Sequence, residues 1–444
     1  MTVSRTICLG FLVLIAVGTL LLWLPISTST GEWNTLVTAL FTATSAVCVT
    51  GLIVVDTGSY YSGFGSAVIL LLIQVGGLGY MTATTFLLIL LGRRFGLKEK
   101  LAIQKSLDLR GLSSAVQLVR SIIALTLTFE ILGVIALFPV FEADHGALRG
   151  IWLSIFHSIS AFNNAGFSLF SDSLSQYATS IPVNIIIPAL ILLGGLGYQV
   201  IMEVYLWIRD RLSQKVAHRE FSLNFKIAIS TSVFLLVLGT IVLLATEYSN
   251  AFDLDSFSPK EKFIVAWFHS VMPRTAGFNS VDYGSFTNTG LLMTIALMFI
   301  GANPGGTGGG IKTTTFRILF SCTKAVLENK EDVLCYQRQI PNSLILKAVG
   351  VVFASGLTVV CVTSLLAISN PDIEFIDLFF EAVSAFATVG LSTGITAKLS
   401  LFSKVIVILT MYIGRVGVLL LISALLGESK PSVINYPEEN LLIG

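Results

Sequence analysis

Charge is scarce in this chain: only 12% of its 444 residues are Asp, Glu, Lys or Arg, against 54% hydrophobic residues and a mean hydropathy of +0.85. That leaves too little polar surface to cover the apolar mass, which excludes a soluble globular protein. The five cysteines, Cys8, Cys48, Cys322, Cys335 and Cys361, have neither pairing nor metal-ligand spacing, and the four histidines are equally dispersed. Neither a disulfide framework nor a metal site is expected. Also lacking are paired carboxylates, nucleophile-base arrangements and basic stretches interleaved with aromatics, which argues against an enzyme and against nucleic acid as a partner. The apolar stretch behind Arg5 runs into Trp23-Leu24-Pro25 without a small-residue cleavage site. It reads as a retained first span instead of a secretory signal.

What the chain does have is apolar length. Long runs fall near residues 7–26, 64–91, 118–140, 181–207, 226–246, 287–303, 343–368 and 400–426. Most can cross a ~30 Å hydrocarbon core at about 1.5 Å per residue. Basic residues gather in alternate connections: Arg93, Arg94, Lys98, Lys100, Lys105, Arg110 and Arg120; Arg209, Arg211, Lys215, Arg219 and Lys226; Arg317, Lys324, Lys330, Arg338 and Lys347. The positive-inside rule makes these connections and both termini cytoplasmic. The other connections carry acid, including Glu142, Asp144, Glu247, Asp253, Asp255, Asp372, Glu374 and Asp377, and face outside. Because the two signs are sorted by side, the net charge of +1 identifies no partner.

Four times an apolar segment breaks at a glycine: Cys-Val-Thr-Gly51-Leu, Asn-Asn-Ala-Gly166-Phe, Arg-Thr-Ala-Gly277-Phe and Ala-Thr-Val-Gly390-Leu, separated by 115, 111 and 113 residues. A second marker follows at 25, 28, 24 and 24 residues: Gly76-Gly77-Leu78-Gly79, Gly194-Gly195-Leu196-Gly197, Gly301 and Gly414-Arg415-Val416-Gly417. Two landmarks in fixed order at a fixed period are the mark of duplicated units. Eight spans over four units gives two spans each. The units are then parallel, unlike the inverted repeats of many secondary transporters. The expected fold is an all-α membrane protein of four span, pore loop, span repeats around a central pore. Its divisions are residues 1–95, 96–210, 211–330 and 331–430, followed by a cytoplasmic tail, 431–444.

About ten residues precede each glycine, enough for a short helix but too few to span. These segments must enter and return on one side, and non-helical backbone at that depth must be enclosed by protein or line a water-filled cavity. Carbonyls turned toward an axial ion require dihedrals of alternating hand, which glycine adopts freely. The expected cation-binding residues are therefore Val49, Thr50 and Gly51; Asn164, Ala165 and Gly166; Thr275, Ala276 and Gly277; and Thr388, Val389 and Gly390, with the transported cation as their only metal. Asp56, Asp172 and Asp282 follow their glycines closely, either as a negative outer mouth or as solvated loop residues. His157 and His269 hold matching places where the first unit has Thr42 and the fourth Glu381; chemistry this varied argues for packing or capping.

The third unit contains Gly301-Ala-Asn303-Pro304-Gly305-Gly306-Thr-Gly308-Gly309-Gly310-Ile-Lys312. Proline among so many glycines ends a helix, leaving a loop able to lie across the path. Arg415 is a charge inside an apolar span and needs a partner; the carbonyls or polar groups of residues 301–315 are the expected one. The same run approaches a phosphate-binding loop, but Ile311 separates the last glycine from the lysine and a span precedes it instead of a strand.

Together the pore-loop glycines, the Gly-Gly-Leu-Gly marker, the G-x-x-P-G-x-x-x-G-G-I-K-T-T-T break and the intramembrane arginine resemble the Trk/Ktr/HKT superfamily of potassium transporters. The resemblance covers nearly the whole chain and is greatest to the bacterial Ktr-type membrane subunit. It implies potassium uptake across the cell inner membrane, possible sodium dependence, a homodimer, and a separate ring of nucleotide-binding regulatory subunits, with no cofactor in this chain. It makes the four glycines the selectivity glycines, residues 301–315 the gating loop and Arg415 its partner. Some plant relatives carry serine at the first of these glycines and favour sodium; here all four are glycine. A sodium-preferring member and an alternating-access, ion-coupled transporter remain the alternatives.

Overall fold

The computed structural model describes residues 3–79, 115–212, 220–251 and 257–427. Among the described residues four helices are apolar and long enough to cross a membrane: α1 (Val3–Trp23), α4 (Ala115–His145), α8 (Leu223–Glu247) and α12 (Asn342–Ser369). Each is followed by a shorter helix that leads to one of the motif glycines: α2 (Leu36–Val47), α5 (Ala147–Phe162), α9 (Pro259–Val271) and α13 (Phe375–Ala387). After the glycine the chain turns into α3 (Gly63–Leu78), α6 (Ile181–Leu196), α10 (Asn288–Phe299) and α14 (Leu401–Val416). Hydroxyl caps start three of these last helices, with Ser62, Thr287 and Ser400 accepting from the backbone N–H of Gly65, Gly290 and Ser403.

The packing closes on itself. Each long helix packs on the two that follow it: α1 on α2 and α3, α4 on α5 and α6, α8 on α9 and α10, α12 on α13 and α14. Each third member also packs on the short helix of the next group: α3 on α5, α6 on α9, α10 on α13, and α14 back on α2. The apolar core divides accordingly. One cluster joins the second and third groups through Phe141, Phe268 and Phe278, and another joins the first and fourth through Phe41, Ile69 and Val407.

The second glycine marker permits close approach. A Cβ added to Gly194 would lie 1.8 Å from Phe162 O, and one on Gly414 1.8 Å from Phe386 O, so α6 and α14 touch a last-turn carbonyl of their short helices, as Gly76 of α3 does at Val47 O; Gly301 instead meets Gly309 O of the loop that follows it. Gly194→Ala is expected to force these backbones apart at a cost of about 1–3 kcal/mol, the usual range for overpacking. A lower midpoint in thermal unfolding of the detergent-solubilised protein would register it.

Two features differ from the sequence expectation. The short helices run to 12, 16, 13 and 13 residues, longer than the ten inferred. The third group's break is also not unique. The runs at 181–207 and 400–426 each bend at a glycine of positive φ, Gly197 and Gly417, by 100° and 92° into α7 (Tyr198–Leu212) and α15 (Val418–Leu426). Hydropathy registers apolar length and is blind to direction. By length and composition the described residues contain four spans, or six if each bent pair is one.

Beyond α10 the chain forms the 301–312 loop and then α11 (Thr313–Leu327). A small hairpin, β1 (Leu334–Cys335) with β2 (Arg338–Gln339), turns through Tyr336 and Gln337, both at positive φ as a type I′ turn requires. The expected 431–444 tail and the basic residues Arg93, Arg94, Lys98, Lys100, Lys105, Arg110, Lys215 and Arg219 lie outside the described residues.

Candidate ion pathway

All four short helices end at one place. The residue two before each motif glycine is left-handed: Val49 at φ 56°, Asn164 at 58°, Thr275 at 64° and Thr388 at 51°. The glycines themselves follow at 90°, 70°, 72° and 92°. Left-handed valine and threonine are costly conformations that persist only when the surroundings impose them. Here the surroundings are the other loops. A Cβ on Gly51 would lie 2.5 Å from Ala165 O, on Gly166 2.8 Å from Ala276 O, on Gly277 2.6 Å from Val389 O, and on Gly390 2.1 Å from Thr50 O. Each glycine therefore faces the carbonyl preceding the next one, and the fourth returns to the first. The twelve residues singled out as cation-binding are brought together, in cyclic order.

Side chains hold these loops from behind. Ser45 Oγ accepts from Gly51 N at 3.0 Å and Ser384 Oγ from Gly390 N at 3.1 Å. The matching residues Thr42, His157, His269 and Glu381 are all buried. Each meets a hydroxyl beyond the glycine: Tyr61 OH donates to Thr42 Oγ1 at 3.0 Å, His157 Nε2 pairs with Ser168 Oγ at 3.0 Å, His269 Nε2 with Ser280 Oγ at 3.2 Å, and Thr396 Oγ1 donates to Glu381 Oε1 at 2.5 Å. The shared feature is the strap from short helix to the loop beyond the glycine, which explains why the chemistry of the position can vary.

On one side of the ring lies a cavity of about 480 Å³ lined by the four glycines together with Asp56, Asp172 and Asp282. Two of these carboxylates also cap turns. Asp56 accepts from Gly58 N at 3.1 Å and Ser59 Oγ at 2.5 Å, and Asp282 from Gly284 N at 3.0 Å.

The 301–312 loop presses on the ring from the opposite side. A Cβ on Gly308 would lie 1.8 Å from Thr275 Oγ1 and one on Gly309 2.2 Å from Thr388 Oγ1, so no side chain fits between loop and ring. The loop is pinned at its base by Gly301 N donating to Ile311 O at 2.9 Å, and by Asn303, whose Oδ1 accepts from Thr313 Oγ1 and whose Nδ2 donates to Ser232 Oγ at 3.2 Å. Gly305, Gly306 and Gly310 line a second cavity of about 520 Å³ with Lys312 and Arg415. Lys312 Nζ donates to Gly308 O at 2.7 Å. Arg415 donates from Nη1 to Thr307 O and from Nη2 to Gly76 O. Pro304 follows Asn303 in the loop, where a Cβ on Gly197 would come within 2.5 Å of its carbonyl.

Three participants escaped the sequence reading. Arg274, buried, donates from Nη1 to Ile300 O at 2.7 Å, the carbonyl released where α10 ends. An arginine next to Gly277 in an apolar region carries the same signal that exposed Arg415. Thr307 stands out only as the one hydroxyl within the glycine run. Gly76 O, as the second acceptor for Arg415, left no signal at all.

An apolar helical scaffold enclosing four converging backbone loops marks an integral membrane protein, and its relatives are cation transport proteins, not enzymes. The chain belongs to the TrkH family of cation transport proteins, whose model matches residues 5–430. It is 36% identical to the Ktr system potassium uptake protein B of Bacillus subtilis, over 100% of this chain and 97% of that one. It is 37% identical to the potassium/sodium uptake protein NtpJ of Enterococcus hirae, over 99% and 97%. In fold it resembles the crystal structure of the potassium transporter TrkH from Vibrio parahaemolyticus, with a TM-score of 0.72 at 19% identity over 94% of this chain and 82% of that one.

Proposed function

We propose that the chain is the membrane subunit of a potassium uptake system, with the ring around Gly51, Gly166, Gly277 and Gly390 as its selectivity filter and the 301–312 loop as its gate. The observation that carries this reading is the cyclic contact of each glycine with the carbonyl before the next. Backbone oxygens in such a ring can replace the hydration shell of a monovalent cation. The C-terminal ends of four short helices converge on it and favour positive charge. The closed packing order supports four parallel repeats, divided at 1–95, 96–210, 211–330 and 331–430, and eight spans with four re-entrant loops. The basic connections then face the cytoplasm. Potassium uptake agrees with what the Bacillus relative is named for. Regulation comes from a separate nucleotide-binding ring, and the subunit works as a homodimer.

A second reading, passage of sodium as well as potassium, draws on the Enterococcus relative, which is named for both ions. Cation flux into liposomes holding the purified chain, with potassium and sodium in competition, distinguishes the two. The parent is expected to favour potassium, and Gly277→Ser to lower the potassium-to-sodium ratio by about tenfold, since positive φ and a 2.6 Å approach to Val389 O both resist a side chain. Equal passage of both ions by the parent supports the second reading. No flux from either the parent or a variant lacking residues 305–310 sinks both.

A further inference from the structure

Four residues stand two positions before the ring glycines, and only Asn164 among them carries an amide. Its side chain is fully buried and used at both ends. Nδ2 donates to Arg274 O at 3.0 Å, and Oδ1 accepts from Thr307 Oγ1 at 2.8 Å. Thr307 Oγ1 also lies 3.4 Å from Phe162 O, the longer of its two approaches. The two partners of Asn164 are themselves connected. Arg274 begins the Arg-Thr-Ala-Gly277 segment of the ring, while its guanidinium holds Ile300 O, where the loop departs. Thr307 lies at the loop's centre, with its N–H on Gly194 O at 3.2 Å and its carbonyl on Arg415.

We propose that Asn164 is a positioning residue through which the loop sets the ion selectivity of the ring. Arg274 O can only accept, so it fixes Nδ2 as the donor end of the amide, and that end holds the backbone of the third ring segment. With the loop seated, the Thr307 hydroxyl completes the arrangement by donating to Oδ1. Losing Thr307 leaves Oδ1 buried without a donor, which favours displacement of the whole amide and weakens its hold on Arg274 O. The conformation at Thr275 that follows is left-handed and β-branched, so it persists only under such constraint. Loop position and cation discrimination are thus one equilibrium instead of two separate devices. The inference rests on the filter-and-gate reading above.

The test is Thr307→Val, which removes the hydroxyl at nearly constant volume and leaves the backbone contacts to Gly194 and Arg415 possible. In liposome flux its potassium-to-sodium ratio is expected to fall roughly fivefold, the factor for one neutral buried hydrogen bond. Thr307→Ser, which restores the hydroxyl, should return it to the parent value. Thr307→Ala gives the same reading as valine with less demand on space, and carries the test if valine does not fold. A change in total flux with the ratio held at the parent value in both hydroxyl-free variants would overturn the coupling while leaving the pore reading intact. A parent without potassium-selective flux, even with residues 305–310 deleted, overturns the pore reading itself.

Discussion

Gly390→Ala is expected to reduce potassium flux by at least tenfold and to bring the potassium-to-sodium ratio close to one, with helix content by circular dichroism unchanged. The tightest contact in the ring is here. An added Cβ would lie 2.1 Å from Thr50 O, 3.0 Å from Gly51 Cα and 3.0 Å from Thr50 C, all of them backbone atoms that no rotamer change can move aside. At φ +92° the alanine is also strained in its own right, by about 1–2 kcal/mol. The cheapest relief is outward displacement of the first loop, which widens the ring on one side and moves the very carbonyl that the proposed filter needs. Gly31→Ala separates strain from clash. Its φ is +73° but nothing lies within 4 Å of the added atom, so flux and selectivity should stay at parent values. A parent-like ion ratio in Gly390→Ala would show that the ring does not discriminate between ions.

Legibility in the sequence followed the range of the interaction. The ring glycines were legible because their pattern is local and repeated: a segment long enough for a short helix, then a glycine, at a steady period. None of this needs knowledge of the fold. Arg415 was legible in kind, since a cation in an apolar span demands oxygen partners, and Thr307 O lies in the expected loop. Its other acceptor belongs to a helix more than three hundred residues earlier, exposed by the break at Gly79, and no pattern in one sequence pairs those positions. The bends at Gly197 and Gly417 escaped for a related reason. A glycine in an apolar run reads as helix-packing material, and only tertiary placement decides whether it stays helical. The straps at Thr42, His157, His269 and Glu381 were aligned correctly by spacing, but their partners differ in type and distance along the chain, so their common role is visible only in the fold.

Arg415→Ala is expected to raise flux at least fivefold, the second of the two large effects. The guanidinium joins three separate groups of helices: it stands on α14, grips Thr307 O at the loop's centre, and anchors to Gly76 O in the last turn of α3. Hydrogen bonds from a charged donor contribute about 1.5–3 kcal/mol each, so losing the pair shifts the loop strongly toward release. The freed carbonyl of Thr307 borders the second cavity, whose 520 Å³ leaves room for water to replace the lost donor. Removing a positive charge from the path would also raise cation flux without moving the loop, so alanine alone does not separate tether from barrier. Arg415→Lys does. A lysine keeps the charge but is a point donor that cannot grip two carbonyls as a planar fork does. If tethering holds the loop closed, lysine should raise flux nearly as far as alanine; flux at the parent level with lysine, but raised with alanine, would make Arg415 an electrostatic barrier. Lys312 donates to Gly308 O at 2.7 Å within the loop itself, so it braces the loop's shape without tying it to another helix. Lys312→Met combined with Arg415→Lys should therefore add little to Arg415→Lys alone if the tether reading holds.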